Sequence, residues 1–275
     1  ATNIVLSDYD LSHLDEELNE KAALLAKQAV KESGKEVYVA GAIGPTTKAI
    51  SVTGGVTFEE LIEAYTRQAR GLLKGEVDVL LVETSQDMRN VKAAYIGIQA
   101  AFEELKKTVP IMISGTIEPM GTTLAGQTIE AFYLSVEHMK PLSVGLNCAT
   151  GPEFMRDHIR SLSDLSECYI SCYPNAGLPD EDGHYHESPS SLAEKVKRFA
   201  EEGWINIIGG CCGTTPEHIK AMKSALASLR PRDHHEREGH GISGLEALQY
   251  DESMRPLFVG ERTNVIGSRK FKRLV

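Results

Sequence analysis

The amino-acid sequence predicts an α/β protein whose fold is a (β/α)8 barrel of the TIM type. Short apolar runs rich in β-branched residues alternate along the chain with stretches whose apolar residues recur at helical spacing. The runs begin roughly every 25 to 40 residues, which is the length of one βα unit. Near-continuous apolar strands that alternate with amphipathic helices indicate a parallel sheet with helices on its faces.

Six apolar runs are predicted to be strands: 36–44, 77–84, 110–118, 143–149, 168–175 and 205–211. An open doubly wound sheet would show the same alternation, with a phosphate-binding turn of the type Gly-x-Gly-x-x-Gly after a strand. Neither 41–48 (GAIGPTTK) nor 209–213 (GGCCG) has that spacing. The barrel is therefore the favoured arrangement.

The predicted helices have recognisable start and stop signals. Thr57 and Glu60 form a capping box ahead of an apolar stripe that ends at Gly75. Three further helices are predicted to begin at an N-cap residue or a first-turn proline, at Asp87, Pro152 and Pro216. These signals place a helix after four of the six predicted strands, in the alternation that a barrel requires.

A long helix is predicted near the start of the chain, after the opening residues ATNIVLSDYDL. Its apolar stripe ends at Gly34 and consists of Leu14, Leu18, Ala22, Leu25 and Ala29. A barrel helix follows a strand, and six strands are two fewer than eight. We therefore expect the first two βα units to be missing from this chain, which would leave two unpaired sheet edges.

Composition restricts the class of protein. The chain has 275 residues, 41% of them hydrophobic, which suits one large globular domain or one domain plus a fragment. A formal net charge of −10 argues against a nucleic acid or an anionic membrane as the main partner, and there is neither a long apolar run nor a secretory leader. Five scattered cysteines fit a reducing cytoplasm better than a disulfide scaffold.

Three cysteines stand at predicted strand ends. Cys148 closes one strand, and the adjacent Cys211 and Cys212 close the last one. Successive side chains of an extended chain point to opposite faces, so neighbouring cysteines can share an ion only where the backbone bends. The bend is expected at the flanking glycines, Gly209, Gly210 and Gly213. Soft thiolates favour zinc, Cu(I) or iron–sulfur clusters, and three protein ligands with one open position are typical of catalytic zinc.

A disulfide and simple packing in the core are the other interpretations of these cysteines. A disulfide between Cys211 and Cys212 would be strained, because neighbouring Cα atoms lie about 3.8 Å apart and bridged cysteines usually lie ~4.4–6.8 Å apart. Cys148 alone would be interpreted as a packing residue. Cys168 and Cys172 lie inside a predicted strand without glycines around them, so they are excluded from the metal site.

The histidines are not assigned to the metal either. His184 and His186 lie in a polar loop, and His218 follows Pro216 in a first helical turn, so solvated loop or helix-turn positions are expected. Three more histidines, His234, His235 and His240, lie in a charged stretch that also contains proline and glycine. That composition is typical of a linker, so these histidines are not assigned to the metal.

Four segments carry a resemblance to a known family: 209–219 (GGCCGTTPEHI), 145–153 (GLNCATGPE), 80–87 (LLVETSQD) and 174–179 (PNAGLP). They strongly resemble the homocysteine-binding zinc barrel of the cobalamin-dependent methionine synthases, and the resemblance covers the whole chain. The opening ATNIVLSDYDL resembles the segment that follows the second strand of that barrel. The tail 257–275 (LFVGERTNVIGSRKFKRLV) resembles the first strand and turn of the folate-binding barrel that comes next.

This resemblance implies three parts: a partial homocysteine- and zinc-binding barrel at 1–229, an interdomain linker at 230–256, and the start of a folate (pterin) binding barrel at 257–275. Glu261, Arg262 and Asn264 would belong to the pterin site but cannot form it alone. The implied partners are the cobalamin- and folate-binding modules of the same parent protein, so full turnover is not expected of this chain by itself.

The resemblance also implies a methyltransferase of the methionine synthase type. Zinc held by Cys148, Cys211 and Cys212 would accept the thiol of L-homocysteine in its fourth position and favour its thiolate form. The thiolate would take a methyl group from methylcobalamin, originally from methyltetrahydrofolate, to give methionine. Glu83 is expected to bind the substrate ammonium, and Asn147 to hydrogen-bond the amino acid or the strand end.

Other functions remain open at this point. Homocysteine methyltransferases that use betaine or S-methylmethionine share the three-cysteine pattern and need no cobalamin. A metal-dependent hydrolase on the same barrel would use zinc to activate water, although it usually has histidine or carboxylate ligands. A redox or assembly module would cycle Cys211 and Cys212 between thiol and disulfide.

Overall fold

The computed structural model describes residues 1–234, 236–237, 239–256 and 265–275. Its centre is one parallel sheet of six strands in sequence order: β1 (Ala40–Ile43), β2 (Val79–Ser85), β3 (Ile111–Gly115), β4 (Ser143–Asn147), β5 (Tyr169–Tyr173) and β6 (Ile207–Ile208). Each strand overlaps one of the six predicted runs. The parallel alternating α/β architecture is therefore confirmed.

The described helices are α1 (Asn3–Leu6), α2 (Asp15–Ser33), α3 (Phe58–Lys74), α4 (Met88–Leu105), α5 (Ile129–Val136), α6 (Pro152–Leu165), α7 (Pro189–Glu201), α8 (Pro216–Leu226) and α9 (Arg269–Lys272). The predicted capping box is present, since Glu60 N donates to Thr57 Oγ1 and Thr57 N donates to Glu60 Oε2. Asp87 accepts from Arg89 N at the start of α4, as predicted. These local signals are therefore formed as the sequence predicted.

The sheet is open within the described residues. Consecutive strands pair in parallel from β1 to β6, and β1 and β6 stand at its two edges. Strand order and connectivity are those of a TIM-type barrel. Closure into a (β/α)8 barrel, and the two βα units that closure would need, stay predictions.

Helix α2 presents a different face to the core than its apolar stripe predicted. Leu18 and Leu25 of that stripe are exposed, whereas the buried residues are Asp15, Asn19 and Ala23. The close contact of α2 with α3 determines which face of α2 is buried. A Cβ atom at Gly71 of α3 would lie 2.4 Å from the carbonyl oxygen of Glu16 in α2. Such close helix packing needs small residues at the contact, so the leucines are placed on the other side. The prediction of the buried face was wrong.

Part of the segment predicted as an interdomain linker forms an antiparallel hairpin of β7 (His240–Ser243) and β8 (Ala247–Tyr250). The hairpin turn packs against the beginning of α5: Thr128 N donates to Leu245 O at 2.9 Å, and Gln127 Nε2 donates to Gly244 O at 2.8 Å. The segment is thus attached to the sheet-bearing body in this region. The division into three parts at 229 and 256 stays a prediction.

Several predicted features lie outside the described residues. His235 is one, and the proposed pterin residues Glu261, Arg262 and Asn264 are the others. Among the described helices, none has both the length and the apolar character that crossing a bilayer would require.

Candidate metal centre and active site

Three cysteine sulfurs meet at the C-terminal edge of the sheet. Cys148 directly follows β4, and Cys211 and Cys212 follow β6. The Sγ atoms of Cys148 and Cys212 lie 3.7 Å apart, and those of Cys211 and Cys212 lie 3.9 Å apart. All three sulfurs are within 4.8 Å of one another, and in the described ranges no other trio of Cys, His, Asp or Glu comes together in this way.

This spacing fits a zinc ion. Zinc–sulfur bonds of about 2.3 Å at tetrahedral angles place two sulfurs about 3.8 Å apart. The measured separations of 3.7 and 3.9 Å lie on either side of that value. Three sulfurs from the chain leave one tetrahedral position for another ligand, which is the arrangement expected of a catalytic site.

The environment of the thiols favours their protonated form when no cation is bound. Burial raises the pKa of Cys211 to about 12, with the neighbouring Cys148 adding to the effect. Burial also raises the pKa of Cys148. Three thiolates at this distance therefore need a compensating positive charge, which a bound divalent cation would supply.

The bend at the cysteine pair differs in detail from the expectation. Of the flanking glycines, Gly213 has a positive φ of 76°, whereas Gly209 and Gly210 are not in the left-handed region. Position 210 requires glycine for a different reason, namely that a side chain would not fit there. A Cβ atom at Gly210 would lie 2.5 Å from the side chain of Thr214. The expectation of positive φ values thus holds at Gly213 only.

The cysteine turn is tied to the segment that follows β5. Cys211 N donates to Pro174 O at 2.9 Å, and Ala176 N donates to Cys212 O at 2.9 Å. Cys212 N also donates to Asn175 Oδ1 at 3.1 Å. Backbone hydrogen bonds from a neighbouring strand end therefore hold the two adjacent cysteines in position.

Asn147 is completely buried, and its side-chain amide joins three strand ends. Its Oδ1 accepts from Thr84 N at 3.0 Å and from Ser114 Oγ at 2.7 Å. Its Nδ2 donates to Thr84 Oγ1 at 2.9 Å and points at Cys211 Sγ from 3.8 Å. The amide is thus engaged within the protein, in contact with one of the three sulfurs.

Glu83 lies where β2 bends at the same edge of the sheet. The pairing of β2 with β3 shifts register between Val82 and Ser85, and the intervening Thr84 has a positive φ of 55°. Glu83 lines a small cavity together with Tyr65 and other residues of the β1 and β2 ends. Burial raises the pKa of its carboxyl group.

Tyr173 is a residue near the site that the sequence patterns did not identify. It ends β5 directly beside Asn147 of β4, and its hydroxyl oxygen is buried without a hydrogen-bond partner in the described part of the chain. Its Cβ atom lies only 3.3 Å from where a Cβ atom added at Gly209 would stand, so Tyr173 is close to the backbone that leads into the cysteine pair. Its place at a C-terminal strand end was the available signal, because barrel sites collect there.

The histidines contact other groups than the sulfurs. His218 is buried, contrary to the expected solvated position; its Nδ1 accepts from Thr215 N at 3.1 Å, and its Nε2 donates to Glu187 O at 2.9 Å. His184 and His186 are exposed, as expected, and His186 contacts Asp180. The burial of His218 results from its contact with a distant loop, which sequence patterns do not reveal.

Comparisons with known proteins place the chain in a family. The family model of the homocysteine S-methyltransferases matches residues 1–226. Similar solved structures include the homocysteine methyltransferase MmuM from Escherichia coli. Its metallated form has a TM-score of 0.64 at 21% identity, over 82% of this chain and 76% of that chain. Its apo form has a TM-score of 0.60 at 21% identity, over 76% of this chain and 73% of that chain.

At this level of identity the structural likeness shows the shared fold. The family model, in contrast, spans most of the sequence, including both segments that carry the three clustered cysteines. On that match the chain belongs to the homocysteine S-methyltransferase family.

Proposed function

We propose that this chain binds zinc through Cys148, Cys211 and Cys212 and activates the thiol of L-homocysteine for methyl transfer, which gives methionine. The observation that carries the proposal is the trio of sulfurs within 4.8 Å of one another, two of whose separations, 3.7 and 3.9 Å, match tetrahedral zinc coordination. Membership of the homocysteine S-methyltransferase family supports the choice of substrate.

The chemistry follows from charge. A bound zinc ion lowers the pKa of a coordinated thiol, so that the thiol is ionised at neutral pH. Cys148, Cys211 and Cys212 would hold the ion, and their three negative charges would outweigh its two, so that a substrate sulfur beside them would stay nucleophilic. As the new sulfur–methyl bond forms, the bond between the methyl group and its donor would break and the donor would leave with that electron pair. The rigid strand ends that carry Cys148 and Cys211 hold this sulfur in one place, and such positioning lowers the barrier further.

Two polar residues have distinct proposed roles. Glu83 binds the substrate ammonium, because it is a half-buried carboxylate at the strand edge that carries the sulfurs. A buried carboxylate without a cation is costly, and an ammonium group would relieve that cost. Asn147 holds Cys211 and the end of β2 in place, since its amide is already engaged with them.

The proposed methyl donor is methylcobalamin carried by another module, with a folate module as the original source of the methyl group. The resemblance of four motif segments and of the tail 257–275 to cobalamin-dependent methionine synthases supports this donor. Betaine or S-methylmethionine is the alternative donor class, because family membership is compatible with either. An assay of methionine formation distinguishes the two donor classes. Methylcobalamin and S-methylmethionine are offered separately to the zinc-loaded chain with homocysteine, and the donor that yields methionine is identified.

Mutation of one ligand tests the metal site. Purified chain should contain about one zinc ion and Cys211→Ser far less, because two sulfurs hold zinc weakly. Cys168→Ser is the matched control, since Cys168 directly precedes β5, lies outside the trio and should retain the metal. Equal zinc content in Cys211→Ser and Cys168→Ser would contradict the proposal.

Two other outcomes would favour a different function. Hydrolytic turnover in place of thiol methylation would favour a metal-dependent hydrolase, and a reversible disulfide without zinc would favour a redox module.

A further inference from the structure

A loop of residues 176–187 lies across the cysteine turn and brings Tyr185 to it. We infer that Tyr185 is a positioning residue whose ring covers the Cys212 side of the sulfur trio, slowing loss of the metal and leaving the substrate thiol to approach from the uncovered side. The inference rests on the proposed zinc site and adds a residue that neither the motifs nor the family match assigns.

The ring contact is direct. A Cβ atom at Gly213 would lie 2.3 Å from Cγ, 2.4 Å from Cβ and 2.8 Å from Cδ1 of Tyr185. The tyrosine therefore packs against the Cα atom of the residue that follows Cys212. Cys212 is the exposed member of the trio, whereas Cys148 and Cys211 are half-buried. The ring thus stands beside the most exposed residue of the trio and shields it from one side only.

Both ends of the loop are bonded to the elements that carry the cysteines. Ala176 N donates to Cys212 O at 2.9 Å, and Glu187 N donates to Ala176 O at 3.3 Å. His218, in the helix that follows the cysteine turn, donates from Nε2 to Glu187 O at 2.9 Å. The loop therefore closes on itself and on the cysteine turn.

The tip of the loop is also ordered. Asp180 accepts from His184 N at 2.8 Å and contacts His186 Nε2 at 2.6 Å. Pro179 and Tyr185 pair as an antiparallel bridge between the two arms. Because this bridge includes Tyr185 itself, the ring is held over Gly213 by backbone pairing as well as by side-chain packing.

Tyr185 meets Gly213 through carbon atoms, namely Cβ, Cγ and Cδ1, and its side chain also interacts with Cys212. The ring and the hydroxyl group therefore have to be tested separately.

Two variants separate the ring from the hydroxyl group. Tyr185→Ala removes the cover, and we expect zinc transfer from the loaded chain to a chromogenic chelator to become about tenfold faster, the scale of losses seen when groups around metal ligands are removed. Tyr185→Phe keeps the ring and should transfer zinc within about twofold of the parent rate on the same scale. Calorimetry of homocysteine binding to the loaded variants provides a second readout that does not depend on turnover.

A glycine pair provides an independent test. Gly213→Ala would push the Tyr185 ring away and should accelerate zinc transfer as Tyr185→Ala does. Gly203→Ala is the matched control, because Gly203 has a similar φ of 72° but no atom within 4 Å of its added methyl group. Both substitutions impose a similar backbone strain. Because Gly213 directly follows Cys212, the comparison is made together with Tyr185→Ala, which removes the cover and leaves the backbone at Gly213 unchanged.

The outcomes separate the inference from the function on which it rests. Parental zinc-transfer rates in Tyr185→Ala and Gly213→Ala, in a chain that binds zinc and homocysteine, would overturn the inference and leave the function standing. Equal acceleration by Gly203→Ala and Gly213→Ala would also overturn it, since strain would then be the cause. A parent chain that takes up no zinc would overturn the proposed function together with the inference.

Discussion

At the scale of single residues, the site is marked by backbone strain. Three non-glycine residues with left-handed backbone angles lie at the ends of β2 and β4: Thr84 (φ 55°), Cys148 (φ 60°) and Ala149 (φ 53°). Such conformations cost on the order of 1–3 kcal/mol each and persist where surrounding contacts hold them. For a β-branched residue such as Thr84 they are rare. The amide of Asn147 bonds to both the backbone and the hydroxyl group of Thr84, which stabilises this bend.

Glu83 should make the stability of the chain depend on pH in a direction opposite to that of most carboxylates. Burial raises its pKa, so the folded state binds more protons than the unfolded state in the window above the unfolded value of about 4.3. The free energy of unfolding contributed by Glu83 therefore falls as pH rises through the folded pKa. Glu83→Gln should be more stable than the parent in urea at neutral pH, and the difference should disappear in acid.

The same substitution should weaken substrate binding. Loss of a charge-assisted contact to the ammonium group raises the dissociation constant of homocysteine by about 10- to 100-fold, while zinc content stays unchanged. Glu59→Gln, on an exposed carboxylate of α3, is the control for a simple change of net charge. Unchanged homocysteine affinity in zinc-loaded Glu83→Gln would show that the carboxylate has another role.

At the scale of secondary-structure elements, the strand ends are connected by side chains as well as by the sheet. Asn147 of β4 contacts Thr84 of β2, Ser114 of β3 and Cys211 beyond β6. Removal of its amide would leave buried donors without partners at two of these ends. The position of Cys211 therefore depends on a residue that does not itself bind the metal.

Asn147→Ala should lose both stability and metal affinity. We expect the free energy of unfolding to fall by about 2–4 kcal/mol and zinc affinity by about tenfold. Asn206→Ala is the matched control, because that amide joins Ile170 N and Arg232 O at the opposite end of the sheet. It should lose stability and keep its zinc affinity. Equal losses of affinity in the two variants would contradict the positioning role.

Elements whose signals are local were predictable, and contacts between distant segments were not. The capping box at Thr57 and the N-cap at Asp87 involve residues two or three positions apart, and both are formed. The buried face of α2 depends on Arg67 and Gly71, about fifty residues away, so its own stripe was misleading.

The cysteines were predictable as strand-end thiols beside glycines. Tyr185 had no such signal, because the bridge to Pro179 and the contact with Gly213 exist only in the folded chain.

At the scale of the whole molecule, the cysteine site lies at one edge of a sheet that is open within the described residues. β1 and β6 are the two edge strands. Strands of the two further βα units predicted from the sequence would pair there. The residues of the site come from β2 to β6 and the segments that follow them, all of which are present. Zinc binding is therefore expected of the chain as it stands.

The proposed function requires that three cysteine sulfurs hold zinc and leave one position for the sulfur of the substrate. X-ray absorption at the zinc edge reports this coordination on the zinc-loaded chain before and after addition of homocysteine. We predict three sulfur neighbours at about 2.3 Å with one lighter ligand, and a fourth sulfur in place of the lighter ligand once homocysteine is present. Sulfur coordination that stays unchanged when homocysteine binds would show that the substrate sulfur does not reach the metal.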